Sequence, residues 1–126
     1  MKVPVPDYIP PQIEILDYDH GDAPGLTIRG EVDIATSPQL KLALDEAIRE
    51  STGAFVLDLC ELEFLDSSGL SLMLRARAAL AREARALAIV CPTGPVRRVM
   101  EVAGVDDLLF LYDSHADLAA ALIPSE

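Results

Sequence analysis

The segment 54–59 constrains the fold most, because Phe55, Val56, Leu57 and Leu59 leave Asp58 as its one polar interruption. A strand this apolar has to be covered on both faces, the condition of a central strand in a sheet flanked by helices. From there the chain is expected to leave the sheet. It reaches Asp66-Ser67-Ser68-Gly69, where three helix-capping side chains stand in a row. Behind them Leu70, Met73, Leu74, Leu80 and Ala81 recur at helical spacing, which predicts a helix starting near Ser67. The first N–H groups of such a helix lack intrahelical partners, so the turn suits an anion, including a phosphate carried on a side chain.

The flanking segments supply the rest of an α/β domain. Segments 13–18 and 26–32 read as a hairpin across a loop containing His20, Gly21, Asp22 and Pro24. In the second of them, Leu26, Ile28 and Gly30 alternate with Thr27, Arg29 and Glu31, giving one packed face and one wet face. Thr36 and Ser37 before Pro38 signal a helix with an inner stripe of Leu40, Leu44, Ala47 and Ile48, closed by Ser51, Thr52 and Gly53. Segment 87–91 predicts a further strand. Val96, Val99, Met100 and Ala103 predict a third helix, stopped by Gly104. A last strand at 108–112 precedes a closing helix, capped by Ser114, with Leu118, Ala119, Leu122 and Ile123 on its apolar side and Pro124 at its end. A hairpin followed by alternating helices and strands implies a mixed, mostly parallel sheet covered by about four helices.

A length of 126 residues fits one domain, placed at 12–124. Segment 1–11 carries Pro4, Pro6, Pro10 and Pro11 and reads as a proline-rich mobile arm rather than a signal peptide, so a cytoplasmic location is expected. No apolar run approaches the length of a membrane span, so no membrane insertion is expected. A net charge of −11 with ten basic residues argues against direct contact with nucleic acid, which needs clustered Lys and Arg. Cys60 and Cys91 stand at predicted strand ends without Cys or His at metal-ligand spacing, and both read as reduced core residues with no metal or cofactor.

The run from Leu57 to Leu70, with its Asp66-Ser67-Ser68-Gly69-Leu70 turn, resembles the signature of the STAS domain of bacterial anti-sigma factor antagonists. In that family the first Ser of the turn is the phosphorylated residue, here Ser67. Gly30-Glu31-Val32-Asp33 is similar to the Gly-Glu-Leu-Asp stretch that ends the second strand of many members. By element order the likeness spans nearly the whole chain. It implies a compact STAS fold and a protein that, unphosphorylated, binds an anti-sigma factor and frees its sigma factor. The partner is implied to be a Ser/Thr kinase that modifies Ser67 and dissociates the complex, with a Ser/Thr phosphatase as the reset. Asp33, Thr36, Asp66, Ser67, Ser68 and Gly69 become the partner-binding candidates.

The same residues have plainer uses. Ser67, Ser68 or Asp66 can cap the helix, Asp33 and Thr36 can serve as turn and cap groups, and Gly69 can relieve crowding in a first turn. A docking subunit of a membrane transporter or sensory assembly, without sigma-factor control, is the alternative function. Enzymatic readings fare worse. The Asp-Ser-Gly turn of aspartic proteases is interrupted here by a second Ser and occurs once, and no Gly-x-Ser-x-Gly elbow or Gly-x-x-x-x-Gly-Lys phosphate loop appears. The acidic cluster of a phosphorelay receiver is missing after the first strand. His20 and His115 read as solvated loop or helix-start side chains, and Arg97 and Arg98 as a solvated helix face.

Overall fold

The computed structural model describes residues 10–122. The arm expected over 1–11 therefore falls outside them except for Pro10 and Pro11, as do Ile123 and Pro124. In chain order the elements are β1 (Ile13–Asp17), β2 (Gly25–Val32), α1 (Ser37–Arg49), β3 (Phe55–Asp58), β4 (Leu62–Leu65), α2 (Ser67–Ala81), β5 (Leu87–Val90), α3 (Pro95–Val102), β6 (Phe110–Tyr112) and α4 (His115–Leu122). β1 and β2 form the antiparallel hairpin, with Ile15 opposite Ile28. β3, β5 and β6 then add in parallel, giving the order β1-β2-β3-β5-β6.

All four residues of β3 are buried, as a strand covered on both faces requires. Alternation sends Phe55 and Leu57 to one face and Val56 and Asp58 to the other. The first face carries the main core, where Leu40, Leu44 and Ile48 of α1, Met73 and Leu80 of α2, and Val96 and Met100 of α3 close over the sheet. The second face is thinner. Val56, Ala88 and Val90 are covered there by Tyr18 and by Leu118 of α4.

One strand was not expected. After β3 the chain does not leave the sheet: it turns at Cys60 and Glu61 and returns as β4, which pairs in parallel with the far half of β2. Two short strands thus share one edge of β2, whose eight residues are long enough for both. The register advances from Gly30–Leu62 directly to Glu31–Phe64, so β4 carries one extra residue, Glu63. This bulge explains why Leu62 and Leu65 are both buried although three residues apart, a spacing that conceals the strand in the sequence.

Two helix faces also differ from expectation. In α2, Leu72 and Ala76 join the buried set while Leu74 is half-buried and Ala81 exposed, because the helix packs against α1 beside it as well as on the sheet. In α4 only Leu118 is buried; Ala119 and Leu122 are exposed on a helix of two turns that touches the sheet along one line.

Candidate functional site

β2 and β4 run in parallel with Val32 opposite Leu65, so the residues that follow, Asp33 and Asp66, leave the sheet side by side. The Asp66 N–H donates to the Val32 carbonyl at 3.2 Å, which holds the two exits together. Asp33 and the Asp66-Ser67-Ser68-Gly69 turn are thereby brought together, although 33 positions of sequence separate Asp33 from Asp66.

At the first exit, Asp33 Oδ1 accepts from the N–H groups of Ala35 (2.8 Å) and Thr36 (3.0 Å). Thr36 Oγ1 donates to the Glu31 carbonyl at 2.8 Å and accepts from the Asp33 N–H at 3.0 Å. Thr36 is buried and occupies the N-cap of α1 without a side-chain capping bond, its hydroxyl being spent on the loop. Asp33 and Thr36 together lock this loop, and the residue they hold outward is Ile34, 81% exposed.

At the second exit, Asp66 is the cap. Its Oδ1 accepts from the Ser68 N–H at 2.9 Å and the Gly69 N–H at 3.4 Å, and the Ser68 hydroxyl donates to the same oxygen. Neither serine hydroxyl caps the helix. Ser67 is exposed in the first turn of α2, and its hydroxyl makes no hydrogen bond among the described residues. Gly69, expected at the partner surface, is buried. A Cβ there would lie 2.3 Å from Leu65 Cδ1 and 2.8 Å from Val32 Cγ1, so the glycine lets the first turn of α2 press against β2 and β4.

Sequence reasoning missed Ile34 and Phe64 as surface groups. Phe64 is 49% exposed on β4, opposite Glu31 and three positions before Ser67. Ile34, held in water next to Asp33, is an exposed apolar side chain of the kind a protein partner covers. The available signal for Ile34 was its setting: an aliphatic residue inside a polar turn with no strand or helix period to bury it.

A second constellation lies on the opposite face of the sheet. His20 and His115, expected as separate solvated side chains, stack with ring centroids 3.7 Å apart and planes 4° from parallel. Beneath them Asp58, 3% exposed, accepts from the Thr27 hydroxyl at 3.1 Å and from the Cys60 N–H at 3.0 Å. The Tyr18 hydroxyl sits 3.1 Å from His115 Nδ1. Burial, and then the Asp58 carboxylate, push the Cys60 thiol up to about 12, and Cys60 and Cys91 are both free thiols.

The family model described as "Mlab, STAS domain" matches residues 17–112. The chain belongs to the STAS-domain family. Its relatives within that family are anti-sigma factor antagonists. One, the anti-sigma F factor antagonist of Paenibacillus polymyxa, is 30% identical over 75% of this chain and 82% of its own. Another, the anti-sigma-F factor antagonist RsfB of Mycobacterium tuberculosis, is 28% identical over 86% of this chain and 88% of its own. Among solved structures, an anti-sigma factor antagonist from Mycobacterium paratuberculosis superposes with a TM-score of 0.80 at 29% identity, covering 95% of this chain and 98% of that one. No helix among the described residues is long and apolar enough to cross a membrane.

Proposed function

We propose that the chain is an anti-sigma factor antagonist switched at Ser67. The observation that carries this reading is the division of labour at the α2 N-terminus: Asp66 supplies the cap, which leaves the Ser67 hydroxyl exposed and unengaged. A hydroxyl needed for capping would be lost to the helix when modified; this one is free for transfer of a phosphoryl group. The unphosphorylated surface around Asp33 and Ser67, with Ile34 exposed next to Asp33, docks on the anti-sigma factor and releases its sigma factor. The anti-sigma factor is also the Ser/Thr kinase. Phosphorylation adds roughly two negative charges beside Asp66 and Asp33, and a partner matched to the neutral hydroxyl is repelled and left with poorly solvated groups. The helix does not melt, because negative charge at its N-terminus is favourable. A Ser/Thr phosphatase restores the binding form, and the cycle runs in the cytoplasm with the transcription machinery.

The test is affinity capture from the native bacterium with wild-type, Ser67→Ala and Ser67→Asp baits, the bound proteins being identified by mass spectrometry. A kinase-like anti-sigma factor retained by wild type and Ser67→Ala, and lost from Ser67→Asp, is the expected result. Transporter or sensory-complex subunits held equally by all three baits would overturn it.

A further inference from the structure

We propose that His20, Asp58 and His115 form a binding site for a divalent transition metal of the zinc class, which clamps the β1–β2 loop and the start of α4 onto the end of β3. One ligand atom from each of the three lies within 4.8 Å of the others. His115 Nε2 stands 3.7 Å from Asp58 Oδ2 and 3.6 Å from Cys60 Sγ. The carboxylate distance is too long for a hydrogen bond. It matches the edge of a ligand tetrahedron: with Zn–N and Zn–O near 2.0–2.2 Å and Zn–S near 2.3 Å, neighbouring donors fall about 3.3–3.7 Å apart.

The surroundings fit an ion. Asp58 is a buried carboxylate whose hydrogen bonds come from neutral donors, the Thr27 hydroxyl and the Cys60 N–H. Among the described residues, the one ion-pairing partner within 4.0 Å of it is the His115 imidazole. Carboxylate burial of this kind is costly without a compensating positive charge. The Tyr18 hydroxyl engages His115 Nδ1, leaving Nε2 aimed at Asp58, the outer-sphere arrangement that fixes the tautomer of a metal-ligating histidine. An open cleft of about 290 Å3, lined by Asp17, Asp19, His20, Asp58 and Glu61 among others, gives a cation an acidic path inward. Arg29 on its wall is paired with Glu14 and Glu61.

The stacked rings cannot both bind one ion edge-on as they lie, since the ion would have to occupy two parallel planes. His115 is held by α4 and Tyr18, so the group that turns is His20, half-exposed on the β1–β2 loop. Zinc binding therefore exchanges a stack for a bridge. This site is independent of the Ser67 switch.

The test is calorimetric titration of the metal-free full-length chain with zinc chloride, in excess magnesium to occupy sites made of carboxylates alone. The wild type should take up one zinc ion per chain. His20→Ala, an exposed loop change that leaves the core intact, should weaken binding at least about tenfold, and His115→Gln likewise. Absence of uptake by the wild type, or a smaller loss in His20→Ala, overturns the proposal.

Discussion

At the scale of single residues, the turn before α2 separates roles that neighbouring polar side chains are often assumed to share. Asp66 holds the helix, Ser68 braces Asp66, and the Ser67 hydroxyl is left exposed. Asp66→Ala should therefore destabilise the fold by about 1–2 kcal/mol, read from urea unfolding midpoints, whereas Ser68→Ala should cost clearly less. The reverse order would mean that the Ser68 hydroxyl is the true cap. Ile34→Ser should weaken partner binding by tenfold or more, about 1.4 kcal/mol, while leaving the unfolding midpoint almost unchanged. The Ile34 side chain is 81% exposed, so the folded chain loses little when it becomes polar. A fall in stability without a fall in affinity would show that it serves the fold instead.

At the scale of elements, the end of α1 depends on a residue from another part of the chain. Arg85 reaches back from the turn after α2, donating to the Gly53 carbonyl at 2.7 Å, the Ile48 carbonyl at 2.9 Å and the Ser51 hydroxyl at 2.8 Å. Its side chain is 6% exposed, so little water would replace it. Arg85→Ala should cost about 2–3 kcal/mol and raise hydrogen exchange at the C-terminal turn of α1 before other sites. A loss under about 0.5 kcal/mol would mean that solvent substitutes freely. Most elements could be read from the chain because their apolar spacing matches one period throughout: β3 is unbroken, and α1 shows its stripe of Leu40, Leu44 and Ile48. β4 could not be read, because its bulge places two inward leucines three residues apart, a helical spacing rather than the alternation of a strand. At the site, Ser67 and Asp66 were legible from a local turn. The capping role of Asp66 over its neighbours, and the inward packing of Gly69, depend on β2 lying alongside, which local sequence does not encode.

At the scale of the whole molecule, the long-range partnerships carry what sequence spacing hides. His20 and His115 meet because the β1–β2 loop and the start of α4 converge over the end of β3, and a separation of 95 positions gives no hint of it. Global stability should also respond to alkaline pH through the buried thiol. Burial pushes Cys91 from 9.0 up to about 11, a shift that nearby Arg97 only partly opposes. Its folded form thus keeps the proton after the unfolded chain has lost it, and stability should fall as pH rises from about 9 to about 11. Urea unfolding across that range should show a shallower decline for Cys91→Ala than for wild type; identical slopes would place the alkaline sensitivity elsewhere. The extra residue in β4 has a consequence of another kind. Because strand side chains alternate strictly, one inserted position inverts the phase of the rest of the strand, and Glu63 is that inversion: it sends Leu65 into the core, where it meets Gly69 at the start of α2.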